Sequence, residues 1–396
     1  VFGISGSIAA VEVPKVAREL LRHGARLEAV LSEDAAGIIT PEAIRFATGN
    51  PPVTRLTGDV EHVRWFGPGP SQADLFLICP ATANTLSKVA HGIDDTPVAT
   101  CASLALGAGV PVAVAPAMHG GMSRNPFVAE SLDRLRRAGV HVISPVEEEG
   151  ESKLASPETI AAEVIHILAR GPWRGRRVLV VGGSTSEPLD EVRSLTNEGS
   201  GQLAVDLAVQ AYFRGAEVET WMGELKVPWP PFLRVERFRT VEELRERVRS
   251  AGASLARFDA IWVPAALSDF RPRPYEGKIP SDQPRVSLEL ERVDKVLPEI
   301  RARAPAGQTL LIAFKLEARG DRLLEKAHAS LCASGADAVV ANDRRGMGGP
   351  RTEVVLVRPG QRPHHYQGTK DVVAGRLLDE VAVDLPARPP SPSGKG

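Results

Sequence analysis

Short apolar runs alternate along the chain with longer stretches whose hydrophobic residues recur three and four positions apart. In the first half the runs are Val1–Ile4, Leu27–Leu31, Leu75–Cys79, Val112–Ala115 and Val140–Ile143. Between the first two lies Val13–His23, apolar on one helical face and closed by His23-Gly24 as a C-cap. Strand–helix alternation of this kind predicts a parallel, doubly wound sheet, in which ligands bind beyond the carboxyl ends of the strands. Arg170-Gly-Pro-Trp-Arg-Gly175 interrupts the pattern and reads as a linker. A second series comes after it, with strands predicted at Val178–Val181, Glu217–Trp221, Ala260–Val263, Thr309–Phe314 and Ala338–Val340 and a helix at Gln202–Arg214. Glu353–Val357 and His364–Tyr366 surround Pro359-Gly360 as a β-hairpin. The expected organisation is α/β, two Rossmann-like doubly wound parallel-sheet domains over residues 1–170 and 171–385. A Pro-, Ser- and Gly-rich tail, 386–396, reads as disordered.

Composition changes this picture at a few points only. A length of 396 residues suits two domains of about 150–200 residues each. The formal net charge of −1 argues against a general polyanion binder, so no nucleic-acid partner is expected, while local phosphate sites stay compatible with it. The three cysteines, Cys79, Cys101 and Cys332, lie far apart with no CxxC pair. That argues against a disulfide framework or a structural zinc site and favours a reducing compartment. Cys79 and Cys101 stand in apolar surroundings and read as core thiols. No apolar run reaches the roughly 18 residues of a membrane span, and Val1–Ile8 reads as a buried strand rather than a secretory signal. The expected location is cytoplasmic, with no membrane partner. The chain opens on Val1 instead of Met, so a few leading residues are expected to precede it.

Candidate chemistry concentrates at predicted strand ends. Gly3-Ile-Ser-Gly-Ser-Ile-Ala9 follows a strand and precedes a helix; its small residues and free helix-start N–H groups suit a phosphate, although alone it is equally a tight strand–helix turn. Cys79-Pro-Ala-Thr-Ala-Asn-Thr85 and Ala115-Pro-Ala-Met-His-Gly-Gly-Met122 stand at two further strand ends. Over residues 1–170 these motifs together resemble the flavin-binding cysteine decarboxylase family. The resemblance implies a flavodoxin-like flavoprotein domain holding FMN through Ser5, Gly6 and Ser7, through Ser32, through the loop of Ala81, Thr82, Asn84 and Thr85, and through Met118. It also implies a site built between subunits, in a trimer. His62, in Asp59-Val-Glu-His-Val-Arg-Trp65, matches the family's proton-transferring histidine, a task suited to a group that titrates near neutrality; outside these motifs it would be an ordinary surface histidine at a helix start. Two departures stand out. His119 replaces the family's asparagine, with an imidazole to meet a substrate carboxylate. The flap Pro145-Val-Glu-Glu-Glu-Gly-Glu-Ser-Lys-Leu154 has no cysteine where bacterial members use one as proton donor. Lys153 is a candidate donor by proximity alone, and the glutamates read as a solvated charge run. The short Glu/Lys flap and the His119 variant resemble archaeal-type members.

In the second half, Val180-Val-Gly-Gly-Ser-Thr-Ser-Glu-Pro-Leu-Asp190 and Arg193-Ser-Leu-Thr-Asn-Glu-Gly-Ser-Gly201 lead into a helix, an anion site in the making. The Lys-Ser/Thr ending of a P-loop is missing, and no clean dinucleotide fingerprint is present. The series resembles phosphopantothenate–cysteine ligase and continues through Ala265–Pro272, Lys278-Ile279, Lys295–Pro298, Ala313–Lys315 and Val339–Asp343. Physically, a ligase that activates a carboxylate with a nucleotide depends on fixed cations and oriented amides at the phosphates and on holding two anionic substrates together. The resemblance implies that Asn197 contacts the acyl-nucleotide and Arg193 supports its loop. Gly183, Ser184, Asp269 and Phe314 would form the nucleotide pocket, and Lys278, with Lys295 as a second cation, would face the phosphates. Gln202 stands where many bacterial ligases have lysine, and Pro280 or Ser281 where another lysine is often found. Mg²⁺ is expected with the nucleoside triphosphate; no residue set for it is visible.

The two halves thus resemble a bifunctional phosphopantothenoylcysteine decarboxylase / phosphopantothenate–cysteine ligase of coenzyme A biosynthesis. Expected substrates are 4'-phosphopantothenate, cysteine and CTP, with ATP an open alternative, and the expected assembly is a homo-oligomer of trimeric flavin domains and dimeric ligase domains. A rival reading is a ligase whose flavin domain serves assembly alone. A pyridine-nucleotide oxidoreductase fits worst, since no acidic residue closes a fingerprint after either glycine loop.

Overall fold

A computed structural model describes residues 1–148, 150–280, 282, 285–317, 322–343 and 348–387. Glu149, Ser281 and most of the expected tail, 388–396, lie outside the described residues. The chain separates into two compact units, Val1–Leu168 and a second beginning at Ala169.

In the first unit, β1 (Phe2–Ile4), β2 (Ala29–Leu31), β3 (Phe76–Ala81), β4 (Val112–Pro116) and β5 (His141–Val142) form one sheet in the order β2-β1-β3-β4-β5. Every pairing in it is parallel. Side chains alternate between the two faces of each strand, which splits the core in two. Phe2, Ile4, Leu77, Cys79, Ala113 and Ala115 pack under the helices Val13–Arg22 and Pro157–Leu168. Phe76, Ile78, Val112 and Val114 pack on the other side, under Ala83–His91, Pro97–Gly107 and Pro126–Arg137. The helix Val13–Arg22 ends where the pattern predicts, with Gly24 at φ 84°. This strand order has its switch point between β1 and β3, where a doubly wound sheet opens a crevice.

Glu147 and Glu148 of the flap are exposed, as a solvated charge run would be, but the flap is an ordered element. Val146–Glu148 (β6) and Glu151–Lys153 (β7) pair as an antiparallel hairpin. Backbone pairing decides this, since β6 is exposed throughout and only Ser152 of β7 is buried.

The second unit carries β8 (Arg177–Gly182), β9 (Ser186–Pro188), β10 (Ser194–Thr196), β11 (Glu217–Met222), β12 (Glu236–Arg237), β13 (Ala260–Val263), β14 (Phe270–Pro272), β15 (Leu290–Arg292), β16 (Leu310–Glu317), β17 (Ala338–Asp343), β18 (Arg351–Val357) and β19 (His364–Thr369). Its main sheet runs β12-β11-β8-β13-β16-β17-β18-β19. The first six strands are parallel in the Rossmann order. The hairpin β18–β19 is joined antiparallel to β17, so the sheet is mixed at one edge. Helices Gln202–Phe213 and Lys370–Val381 cover one face, and Val241–Ala251, Val296–Arg303 and Leu323–Ser334 the other.

Arg170–Gly175 is no free tether. Trp173 is 1% exposed in the core of the second unit, and its indole N–H donates to the Leu378 carbonyl at 3.0 Å. Pro386, at the start of the expected tail, is also tied down, its carbonyl accepting from Arg176 at 2.9 Å.

Candidate functional site

In the first unit, four strand ends are laced together by short polar links. The buried Ser5 hydroxyl donates to the Pro80 carbonyl at 2.7 Å and accepts from the Thr82 N–H at 3.0 Å, joining the loops after β1 and β3. The Ser32 N–H donates to the Ile4 carbonyl at 3.0 Å, and the Ser7 hydroxyl reaches the Ala117 carbonyl after β4 at 3.4 Å. Ser7, Ser32 and Thr82 each cap the next helical turn, which leaves Ser32 a hydroxyl proton to share. Ser5 thus works inside the loop system, Thr85 pairs with the Thr82 hydroxyl at 3.0 Å, and Ala81 is fully buried. Gly6 owes its identity to packing, because a Cβ there would lie 2.3 Å from the Asp34 Cβ. Asn84 is exposed on the first turn of Ala83–His91.

His62 lies on the short helix Glu61–Phe66, anchored by Trp65 and Phe66 in the core that holds Ile78, Ala81 and Leu86. Its Nδ1 is buried and, among the described residues, has no hydrogen-bond partner. Such a group in a folded protein calls for an explanation, and a ligand contact is one. Val60, just ahead, has φ 46° and ψ 50°, a left-handed conformation that is costly for a β-branched residue. Glu61 holds this turn, accepting from the Thr57 N–H and hydroxyl at 3.1 and 2.7 Å. Its own backbone N–H and these Thr57 donors lower its pKa below the ordinary glutamate range.

His119 caps the turn after β4. Its Nδ1 accepts from the Gly121 N–H at 3.1 Å, so the ring proton belongs on Nε2, which lies 3.0 Å from Glu151 of the flap. The other Glu151 oxygen accepts from the Gly120 N–H at 2.9 Å, and Met118 bridges Ser152 through its backbone. Glu151 was hidden in an ordinary-looking acidic run. Lys153 pairs with Glu148 at 2.8 Å on the flap surface. Cys79 and Cys101 are core thiols whose pKa burial raises, that of Cys101 to about 12.

These loops fit a flavin phosphate in their donor set of hydroxyls and helix-start N–H groups, and His62 Nδ1 is a polar atom of the same unit without a partner among the described residues.

In the second unit a cavity of about 1000 Å³ opens at the carboxyl ends of β13, β16 and β17, against the loop that leads into the helix Gln202–Phe213. Asn197, Asp269, Lys295 and Phe314 line it. The Asn197 amide donates to the Ala266 carbonyl at 2.9 Å, leaving its oxygen free. Asp269 and Lys295 pair at the rim, and Phe314 leans on Trp262. Helices Gln202–Phe213 and Val296–Arg303 begin at the wall, presenting the positive ends of their dipoles. The wall also holds Lys315, Lys326 and Lys370, none of which the sequence singles out.

Gly183, Ser184, Arg193 and Lys278 are not on this wall. Gly183 (φ 75°) and Ser184 lie beneath it, between Gly223–Glu224 and Ala266, and Ser184 supports the Gly199 carbonyl at 3.4 Å. Arg193 donates to Asp190 at 3.2 Å and to the Ile279 carbonyl at 3.3 Å. The buried Asp190 carboxylate also accepts from the N–H groups of Val192, Arg193 and Ile279 at 2.8, 2.6 and 3.0 Å. Burial opposes its ionisation, but those three N–H donors and the Arg193 charge prevail and lower its pKa below the ordinary aspartate range. Asp190 therefore fastens the loop bearing the exposed Lys278. Among the described residues no cluster of three histidines, cysteines or carboxylates is arranged to hold a metal ion, and no helix is long and apolar enough to cross a membrane.

Two α/β units, one with flavodoxin-like strand order and strand-end hydroxyls, the other with a Rossmann cavity rich in lysine, define a two-site enzyme. The family model described as Flavoprotein matches residues 1–169, and that described as DNA/pantothenate metabolism flavoprotein C-terminal domain matches residues 173–385. The coenzyme A biosynthesis bifunctional protein CoaBC of Thermococcus kodakarensis is 44% identical over 384 residues, 96% of this chain and 94% of the relative. That of Methanocaldococcus jannaschii is 33% identical over 386 residues, 96% and 92% of the two chains. Among solved structures, the DNA/pantothenate metabolism flavoprotein from Streptococcus pneumoniae aligns with 53% of this chain and 100% of its own, at TM-score 0.47 and 23% identity. The chain belongs to the family of bifunctional coenzyme A biosynthesis proteins. It is a bifunctional enzyme, a phosphopantothenoylcysteine decarboxylase joined to a phosphopantothenate–cysteine ligase.

Proposed function

We propose that the cavity of the second unit takes 4'-phosphopantothenate and CTP, with Mg²⁺ carried by phosphate oxygens and water, and releases pyrophosphate as an acyl-nucleotide forms. The cysteine amine then displaces the nucleotide to give phosphopantothenoylcysteine. Asn197 contacts the acyl-nucleotide through its free amide oxygen, Phe314 and Asp269 bound the nucleotide, and Lys295 faces the phosphates. Gly183, Ser184 and Arg193 act from below by holding the loops. Lys278 stands off the wall, so its contact with the phosphates requires loop closure or a second copy, as in the proposed ligase dimer.

The first unit then decarboxylates that product on FMN, in the proposed trimer. FMN bound there would supply reversible two-electron chemistry, accepting electrons from the cysteinyl thiol and returning them after CO₂ is lost, with no net oxidation. The loops of Ser5, Gly6 and Ser7, of Ser32, and of Ala81, Thr82, Asn84 and Thr85 hold the flavin with Met118. His62 moves a proton at Nδ1, and His119 orients the substrate carboxylate.

The observation that carries this reading is the cavity at the carboxyl ends of the Rossmann strands, lined by Asn197, Asp269, Lys295 and Phe314. The test is to incubate the protein with phosphopantothenate, cysteine and CTP or ATP, following product mass and the flavin spectrum. Pyrophosphate, then CO₂ and phosphopantetheine, are expected with CTP preferred. Ligation without CO₂ from supplied phosphopantothenoylcysteine would reduce the first unit to an assembly role. His62→Asn is expected to abolish decarboxylation while FMN and ligation are retained.

A further inference from the structure

Lys370 opens the helix Lys370–Val381 and lines the cavity of the second unit, yet the residue is only 7% exposed. Three other wall lysines are matched with carboxylates: Lys295 with Asp269, and Lys315 and Lys326 with Glu317. Among the described residues, the Lys370 ammonium has neither a hydrogen bond nor an ion pair. Asp206 acts on it at longer range and gives one carboxylate oxygen to the Gln202 amide at 2.9 Å. Burial lowers the Lys370 pKa, with Asp206 opposing.

A lysine this deeply packed, whose ammonium meets the cavity and no counter-ion, is costly to keep charged. It stands at a wall shared with Asn342 and Thr352, whose amide and hydroxyl are groups able to donate to the same anion. The helix start adds a favourable dipole for an anion. Both substrates of the proposed ligase bring phosphate.

We infer that Lys370 is a phosphate-binding residue of the ligase cavity, its ammonium completed by a phosphate group of a bound substrate. This rests on the ligase reading above. The phosphate belongs either to the nucleotide or to the pantothenate, and separate titrations distinguish them.

The experiment uses the full-length, flavin-loaded protein. Equilibrium binding of CTP and of 4'-phosphopantothenate is measured one at a time for wild type, Lys370→Met and Lys370→Arg. Lys370→Met is expected to weaken one of the two by about ten- to a hundredfold, the loss of one charge-assisted hydrogen bond. The other substrate then changes little, and Lys370→Arg recovers most of the loss. The thermal midpoint without substrate should not fall, because an uncompensated buried charge has been removed. Equal affinities for both substrates in wild type and Lys370→Met, or a lowered midpoint with unchanged affinities, overturn the inference and leave the ligase reading standing. A wild type that binds neither substrate overturns both. Should Lys370→Met fail to fold, Lys370→Gln decides by the same criteria.

Discussion

Single residues in this protein act as fasteners more than as isolated reagents. Asp190 sits low in the second unit and gathers three N–H donors and one guanidinium. Because its pKa is lowered on folding, the stability it contributes is complete above the unfolded-state pKa and is lost as pH falls through the lower folded one. Asp190→Asn should therefore melt below wild type at neutral pH, and the gap should close on the acid side. Thermal melts over a descending pH series read this directly, and a gap that stays constant into acid would contradict it. Ligation should slow in the variant, since Ile279 and the neighbouring Lys278 lose their anchor. Asp190 was visible in the sequence as part of a motif, but its role was not, because a motif gives order along the chain and no direction of a side chain.

At the scale of elements, the flap shows how a segment gains structure from what it touches. The hairpin β6–β7 is charged and short, and nothing in its periodicity separates it from a solvated loop. It is held by Glu151 on Gly120 and His119, and by the Ser152–Met118 bridge. Gly120 is required by the approach of the flap turn: a Cβ there would lie 1.7 Å from the Gly150 carbonyl oxygen. Gly120→Ala should displace the flap and cost about 1–3 kcal/mol in denaturant unfolding. Decarboxylation should drop while ligation, on the other unit, stays at the wild-type rate. Loss of both activities together would count against a local effect.

For the whole molecule, two cores built on separate sheets explain how two activities share one chain. The boundary is sharper than composition suggests, since Trp173 belongs to the second core. Trp173→Ala should destabilise that unit by about 3–5 kcal/mol in urea, with flavin binding intact. A fragment beginning at Arg170 should unfold cooperatively, whereas one beginning at Arg176 lacks the indole and should not.

The strand–helix alternation, the parallel sheets and the motifs at the strand ends were determined by the sequence itself. Alternating burial and helical periodicity are local properties, and Ser7, Ser32 and Thr82 cap their own helical turns by hydrogen bonds to residues two or three positions on. The position of Lys278 off the cavity wall, the joining of β18–β19 to the sheet, the Glu151 latch and the Lys370 ammonium left without a counter-ion among the described residues were decided only by tertiary structure. Each depends on groups distant in sequence meeting in space, where burial and the nearest counter-charge, not residue type, set what a side chain can do.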